Sequence, residues 1–541
     1  MIKHSILFVG LLTIAPFFVW AHENDNGHDH WQPKAYPQTQ IHAPTPIPDR
    51  VVLTWASDPA TSQSVTWRTD GTILVGVAEI AIANANGRAL NPVRFTAQTT
   101  PFTSDINVAH YHSLTFNDLQ PDTLYTYRVG DGVNWSEYFH FRTASDLVQP
   151  FSFIYFGDAQ NDLKTHWSRV FREAFRDAPR AAFTLHAGDL INEDAYDAEW
   201  GEWHGAPAWV NGTLPVIATP GNHEYFRANR GPVKERLWLN KEGMPIEVDT
   251  EVVQENKVDG TKLYKVTVKT STGNSAYLEY DGDEIITLVG DGIKSITGYT
   301  ATQLLGTTYD KKPLNDRRRD NGVPSVSSHW RPQFAFPEQD VPKGLEETTY
   351  FIDYQGVRFI SLDSNRDRAE QVPWLRKVLT NNPNRWTILT FHHPIFSPAK
   401  DRDNQELREL WKPVFDEFKV DLVLTGHDHT YSRTGDVGYS VDTANIPTGY
   451  QQAYDPKIGT VYVVSVSGPK MYNITKGDYA KRVAEDTQLY QIIEIDGGKL
   501  EFKAYTATGD LYDAFTLTKQ AGKPNRLKET LTEEARKSLV K

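Results

Sequence analysis

Between Phe151 and Glu224 three short apolar runs each stop at a loop rich in metal-ligating residues, and no other stretch constrains the fold as tightly. Phe151-Ser152-Phe153-Ile154-Tyr155-Phe156 runs into Gly157-Asp158-Ala159-Gln160. Ala182-Phe183-Thr184-Leu185-His186 reaches Gly188-Asp189-Leu190, and Leu214-Pro215-Val216-Ile217-Ala218 reaches Gly221-Asn222-His223-Glu224. Continuous apolar runs of this length bounded by glycine suit strands covered on both faces. Val170, Phe171, Ala174 and Phe175 recur at helical spacing between the first two runs, as a crossover helix requires. The pattern predicts a parallel sheet, and ligands of such sheets gather at the carboxyl ends of the strands, where Asp158, Asp189 and Asn222 fall. One Gly-Asp pair alone would be an ordinary turn.

The same rhythm resumes downstream. Apolar runs at 349–353 and 357–363 precede a helical pattern at 371–379; the run 386–391 then enters His392-His393-Pro394, and 420–424 enters Gly426-His427-Asp428-His429. Runs at 460–466, 490–494 and 500–505 would complete a second sheet. Five buried strands therefore end in Asp158, Asp189, Asn222, His392 and the pair His427 and His429. The chain has no cysteine, so a metal site must use nitrogen and oxygen, a donor set that suits Zn, Fe or Mn.

At 541 residues the chain has room for two or three domains, and 39% hydrophobic content places it among folded proteins. Lys3 and His4 precede an apolar stretch from Ile6 to Val19 that ends in Val19-Trp20-Ala21, which predicts a signal peptide over 1–21, cleaved after Ala21, and a secreted or periplasmic destination. No later stretch could span a bilayer. Residues 22–48 read as a His/Pro-rich linker. Short alternating runs across 49–145 predict a β-sandwich. An α/β domain is expected over 149–520, interrupted by a β-rich insertion at about 232–324, and a charged helical tail over 521–541. The net charge of −13 and the lack of a basic block argue against a nucleic-acid surface.

The segment Leu119-Gln120-Pro121-Asp122-Thr123-Leu124-Tyr125-Thr126-Tyr127-Arg128-Val129-Gly130 resembles the penultimate strand of fibronectin type III modules, and a packing partner for the next domain is the favoured reading over a surface-binding module. The series Gly-Asp, Gly-Asp-Leu, Gly-Asn-His-Glu, His-His-Pro and Gly-His-Asp-His resembles the calcineurin-like metallophosphoesterases, and the module before it makes the chain similar to purple acid phosphatases. That resemblance implies a four-layer fold, two mixed β-sheets flanked by helices, preceded by an all-β fibronectin III-like sandwich. It further implies two divalent or transition metal ions, Fe, Zn or Mn, and a phosphate ester substrate attacked by a metal-bridging hydroxide. Carried over position by position, Asp189 bridges the metals, Asp158 and His429 hold the first, and Asn222, His392 and His427 the second. His223 would stabilise the phosphoryl group or protonate the leaving oxygen, Glu224 would orient His223, and His393 would contact substrate.

Two positions depart from the pattern. Asn192 stands where purple acid phosphatases have a metal-bound tyrosine, and Gln160 where other metallophosphoesterases have a histidine. Both are neutral candidates for an extra ligand, and the missing phenolate predicts no charge-transfer colour. Further family histidines have no counterpart, since Lys400-Asp401-Arg402-Asp403 occupies their region; an exposed, ion-paired Arg402 is the favoured reading over a phosphate contact. An acid-phosphatase-type monoesterase is the leading expectation. A phosphodiesterase acting on nucleotides or phospholipid head groups, and a non-catalytic surface binding protein, are its rivals; the intact ligand set speaks against the last, because buried His and Asp without a metal are costly.

Overall fold

The computed structural model describes residues 36–226, 235–241, 244–255, 262–269, 275–281, 284–290, 299–300, 324–400, 402–434, 459–474 and 480–531, with 226–300 described as backbone only. The expected signal segment, residues 22–35 of the linker and 532–541 of the tail lie outside the described residues. Among the described residues no helix is long and apolar enough to cross a membrane.

Residues 49–142 fold into two four-stranded antiparallel sheets. Val65 and Trp67, two apart on the strand Gln63–Asp70, point into a core shared with Tyr127 and Phe141 of the facing sheet, as the two-residue period of a strand dictates. Val52 and Trp55 belong instead to the core of the following domain, where Trp55 lies 5.6 Å from the ring of Phe183 and 5.4 Å from that of Tyr354. A buried ionic clasp fixes the same seam: Arg50 Nη1 lies 2.6 Å from Asp197 Oδ1, and Arg68 Nη1 3.2 Å from Asp197 Oδ2. The N-terminal sandwich thus packs against the α/β domain through apolar and charged contacts together.

The strands of that domain are β1 (Phe151–Phe156), β2 (Thr184–His186), β3 (Val216–Ala218), β4 (Tyr350–Tyr354), β5 (Val357–Ser361), β6 (Trp386–Thr390), β7 (Leu422–Thr425), β8 (Tyr431–Thr434), β9 (Val461–Val464), β10 (Ala480–Ala484), β11 (Leu489–Asp496), β12 (Lys499–Thr506), β13 (Leu511–Gln520) and β14 (Lys523–Glu529). One seven-stranded sheet has the order β3-β2-β1-β11-β12-β13-β14 and the other β4-β5-β6-β7-β9-β8-β10. In the first, β1, β2 and β3 are parallel and β11 joins β1 antiparallel; in the second, β5, β6, β7 and β9 are parallel. Both sheets are mixed, as expected.

Aromatic side chains fill the space between the sheets: Phe359 of β5 lies 5.3 Å from Phe153 of β1 and 5.1 Å from Phe183. Helix α1 (Ser168–Asp177) buries Val170, Phe171 and Ala174 against the first sheet, and α2 (Asp197–Gly205) buries Trp200 and Trp203. On the outer face of the second sheet, α3 (Gln371–Thr380) and α4 (Gln405–Phe418) enclose a separate core with Leu375, Trp411 and Phe415. Two sheets inside two helical layers result, with the carboxyl ends of both parallel sets left uncovered for a site.

The stem of the insertion is a short antiparallel pair, Tyr225–Phe226 with Ser325–Val326. Beyond it the backbone from Glu235–Lys241 to Tyr299–Thr300 forms six strands paired antiparallel in chain order.

The expected helical tail is corrected over its first part. Lys523–Glu529 is a strand, paired antiparallel with β13, so the first sheet extends past residue 520. Its charges suggested a solvated helix, but at a sheet edge charged side chains serve equally well and discourage further strand pairing. Leu527, the apolar residue of that stretch, packs against the main core.

Candidate metal centre

Five of the parallel strands deliver ligand-type residues at their carboxyl ends. Asp158 follows β1, Asp189 follows β2, Asn222 follows β3, His392 follows β6, and His427 and His429 follow β7. All six meet in one place. Asp189, His392 and His427 present atoms within 4.8 Å of one another, and so do Asp158, Asp189 and His429, with Asp189 common to both groups. Asn222 Oδ1 joins the first group at 3.2 Å from His392 Nε2.

Glycine makes the approach possible. A Cβ on Gly221 would collide with Asp189 Oδ1, and one on Gly426 would collide with Asp158 Oδ1. The loop glycines therefore do more than turn the chain: they let one strand's loop lie directly on the next strand's carboxylate.

The hydrogen bonds fix which ring nitrogen is free. His429 Nδ1 lies 2.9 Å from the carbonyl of Lys470 and His392 Nδ1 3.0 Å from that of Ala187. A carbonyl only accepts, so in the neutral ring each Nδ1 carries the proton and each Nε2 is left with a lone pair. His429 Nε2 then faces Asp158 Oδ2 at 3.2 Å, and His392 Nε2 faces Asp189 Oδ2 at 3.1 Å. These are acceptor atoms turned on acceptor atoms. Asp158 Oδ2 and Gln160 Oε1 are buried with no hydrogen-bond partner among the described residues.

The electrostatics express the same crowding. Burial pushes the Asp158 carboxyl up to about 8, against the opposing pull of His392. Burial also lowers His429 to about 3. For His392, burial opposes the charged ring but the Asp189 carboxylate more than offsets it, so the imidazole is raised to about 9. Converging lone pairs of this kind call for positive charge. A proton can supply some of it, and a cation shared by the lone pairs supplies more. The donors, imidazole nitrogens and carboxylate and amide oxygens, fit Zn, Fe or Mn.

The departures take definite positions. Gln160 Nε2 lies 2.7 Å from Asp189 Oδ2 and 3.3 Å from His429 Nε2. Turning the amide over would put Oε1 there instead, an acceptor among the ligand atoms. The Asn192 side chain turns toward Glu193, 3.4 Å away, and its main-chain carbonyl takes the His223 Nδ1 proton. Asn192 thus meets the site through its backbone.

His223 Nε2 lies 4.0 Å from Asp189 Oδ2. Glu224 does not take the expected role: its carboxylate does not orient the His223 ring. It accepts from the backbone N–H groups of Asp189 at 2.9 Å, Leu190 at 2.7 Å, Ile191 at 3.2 Å and Gly221 at 2.6 Å. The physical reason is direction. Glu224 closes the one-turn helix Asn222–Glu224, so its side chain folds back under the loop while that of His223 points out. Glu224 holds the two loops that carry Asp189 and Asn222.

His393 sits beside the centre, its ring centroid 4.2 Å from that of His427 and its Nδ1 2.8 Å from Ser364 Oγ. Arg402 donates to the His427 carbonyl at 3.1 Å and lies 3.3 Å from Asp428 Oδ1, ion-paired as expected but half-buried instead of exposed. Sequence reasoning missed the loop after β5. There Ser364 holds His393, Asn365 donates to the carbonyl of Pro220 at 3.0 Å, and buried Asp363 accepts from the Tyr225 hydroxyl. The signal was present in Asp363-Ser364-Asn365, which ends an apolar run as the other loops do.

The profile of the calcineurin-like phosphoesterases matches residues 151–334 and 313–431, and that of the purple acid phosphatase N-terminal domain matches 48–143. The chain is a calcineurin-like phosphoesterase. Within that family it resembles the purple acid phosphatases. It is 22% identical over 434 residues to probable inactive purple acid phosphatase 1 of Arabidopsis thaliana, covering 76% of this chain and 58% of that protein. Against an acid phosphatase of Aspergillus ficuum it is 24% identical over 400 residues, 62% of each chain. The chain thus spans about three fifths of the length of these relatives. Among solved structures, purple acid phosphatase PPD1 from yellow lupin shares the fold with a TM-score of 0.55 at 16% identity, over 87% of this chain and 74% of that one. PhoD also scores 0.55, at 12% identity over 90% and 92%.

Proposed function

We propose that this calcineurin-like phosphoesterase is an exported, dinuclear metal-dependent phosphoester hydrolase of the acid phosphatase type, acting on monoesters. The observation that supports it most is the pair of overlapping acid and histidine groups that share Asp189. Asp158, Asp189 and His429, with Gln160 as a neutral neighbour, would hold one cation; Asp189, Asn222, His392 and His427 would hold the other. Two such cations, when bound, would lower the pKa of a water and neutralise charge on the phosphoryl oxygens.

The chain's own residues do the rest. Main-chain carbonyls of Lys470 and Ala187 fix the tautomers of His429 and His392 and so aim both Nε2 lone pairs inward. Glu224 keeps the Asp189 loop in register with the Asn222 loop through its backbone hydrogen bonds. Near-complete burial of Asp158, Asp189, His392 and His429 excludes bulk water from one side of the centre and strengthens every charge interaction there. His223 donates Nδ1–H to the carbonyl of Asn192, which leaves Nε2 at the rim. From there the doubly protonated ring could give its Nε2 proton to the departing ester oxygen and remain as the neutral Nδ1–H tautomer. His393, braced by Ser364 and packed on His427, would serve as a substrate contact. Export rests on the basic start, the apolar stretch and Val19-Trp20-Ala21, and the fibronectin type III reading of the first domain on the strand signature ending at Gly130.

Metal analysis of the purified protein beside a panel of phosphomonoesters and phosphodiesters tests the proposal. About two transition metals per chain, little colour, and monoester turnover above diester turnover are expected. Preferential diester hydrolysis would replace the monoesterase reading. A protein that binds no metal and hydrolyses neither class would end the hydrolase reading altogether.

A further inference from the structure

The two sheets face each other across an aromatic core, and apolar packing of that kind is non-directional. A metal asks for more, with ligand distances held to about 0.2 Å. Both proposed cations, the first on Asp158, Asp189 and His429 and the second on Asp189, Asn222, His392 and His427, draw ligands from both sheets. Directional bonds must therefore fix one sheet against the other at the ligand loops. In the first sheet β1 and β3 flank β2; in the second β5 and β9 flank β6 and β7. These flanking strands are tied across the sheets in pairs, β1 with β9 and β3 with β5.

The β1 to β9 ties bear on Asp158. Its carbonyl accepts from the N–H groups of Ser467 at 2.9 Å and Gly468 at 2.6 Å, and Asp158 pairs with Val466 in an isolated parallel bridge. Ser467 Oγ lies 2.9 Å from the Gly157 carbonyl, to which it donates, and accepts from Trp167 Nε1 at 3.0 Å. A Cβ on Gly157 would collide with the Ser465 carbonyl, so the two segments lie in direct contact.

The β3 to β5 ties bear on Asn222 and His392, although the loop after β5 carries none of the proposed ligands. Thr219 Oγ1 donates to the Leu362 carbonyl at 3.0 Å. Asn365 Nδ2 donates to the Pro220 carbonyl at 3.0 Å and to Asp363 Oδ1 at 3.1 Å, and two acceptors around that nitrogen settle which way the amide is turned. One residue earlier, Ser364 Oγ accepts from the His393 N–H at 3.0 Å and lies 2.8 Å from His393 Nδ1. Neighbouring residues of one loop thus reach the Asn222 loop of one sheet and the His392 loop of the other. Beyond Asn222 the Tyr225 hydroxyl returns to Asp363. Thr219, Asp363 and Ser364 are fully buried, where water does not compete for these bonds.

We propose that Thr219, Ser364 and Asn365 are positioning residues for the second cation, setting the spacing between Asn222 and His392, and that Ser467 does the corresponding work for Asp158 and the first. Each acts through the loop that carries a ligand and not as a ligand itself. The inference rests on the two-metal reading above and adds that the halves of the centre can be loosened one at a time.

Calorimetric titration of the metal-free protein with Mn2+ tests it. The wild type should take up two Mn2+ per chain in resolvable steps. Thr219→Val/Asn365→Ala should weaken one step by about ten- to a hundredfold and leave the other where it was. His392→Ala, which removes a ligand of the second cation, should abolish that same step, and Ser467→Ala should weaken the other one. Thr219→Ser keeps the hydroxyl and should keep both affinities, while Thr219→Val alone, a change of almost no volume, should repeat the selective loss on a smaller scale. Equal weakening of both steps in the double variant, or in Thr219→Val should the double variant fail to fold, assigns these residues to general stability and overturns the inference; so does a step that does not move. In either case the two-metal reading stands. A wild type that binds fewer than two Mn2+ ends that reading and the inference with it.

Discussion

His112 in the N-terminal sandwich and His392 in the α/β domain are equally buried, each with no exposed surface, yet they are built to opposite ends. His112 has both ring nitrogens engaged, by Thr69 Oγ1 at 2.8 Å and Thr99 Oγ1 at 2.9 Å, and stacks on Trp67 at 5.2 Å. A hydroxyl donates or accepts as needed, so that histidine is content as a neutral ring. His392 has one nitrogen engaged by a carbonyl and the other facing a carboxylate, an amide oxygen and a second imidazole. The two environments move the pKa in opposite directions, His112 down to about 4 by burial and His392 up to about 9 because Asp189 more than offsets its burial. Burial alone therefore says little about a histidine's task. What tells them apart is whether the second nitrogen meets a group that can adapt to it.

The contrast breaks most sharply at Asp189, the group both halves of the centre share. Asp189→Ala should lower phosphoester hydrolysis by about a thousandfold or more, roughly 4 kcal/mol of transition-state stabilisation. Retained turnover in that variant would exclude it as the bridge. Glu224→Gln should have a smaller effect, about ten- to a hundredfold in metal affinity, because an amide cannot accept on both sides from the four backbone donors. Titration with a chelator reads this directly, and an unchanged affinity would deny Glu224 its positioning role.

Removing the metal sharpens the same contrast. Chelation should lower the Tm of the α/β domain, by an amount that grows with the free metal concentration of the starting sample, since only the folded state presents the assembled site. A Tm indifferent to metal would mean that the converging lone pairs are satisfied some other way. The smallest effect belongs to His112. Its folded pKa is depressed below that of the unfolded chain, so stability is full above pH 6.5 and is lost as pH falls from about 6.5 toward 4. Denaturant titrations should show stability falling across that window, with the slope reduced in His112→Gln. An equal slope in the variant would assign the acid sensitivity elsewhere.

The centre was legible in sequence because each ligand sits at the end of its own apolar run, and parallel strands bring their carboxyl ends together without further instruction. Asp158, Asp189, Asn222, His392, His427 and His429 all announced themselves that way. Glu224 did not give its role away, since adjacency to His223 in sequence says nothing about which way a one-turn helix sends each side chain. The strand at Lys523–Glu529 was hidden for a related reason: with one strongly apolar residue, neither the two-residue nor the 3.6-residue period could register. The contribution of Asn192 through its carbonyl is invisible to any reading of side chains. Loops held by backbone groups leave almost no trace in residue identity.

The strand Leu489–Asp496 lies directly beside Phe151–Phe156, the strand that carries Asp158, although more than three hundred positions separate them. Until the ribosome has delivered that late segment, the central strand lacks a neighbour on one side and the first carboxylate has no firm footing. A growing chain can form the strands of its N-terminal sandwich early, but the strand before Asp158 has its second neighbour only once residues 489–496 have emerged.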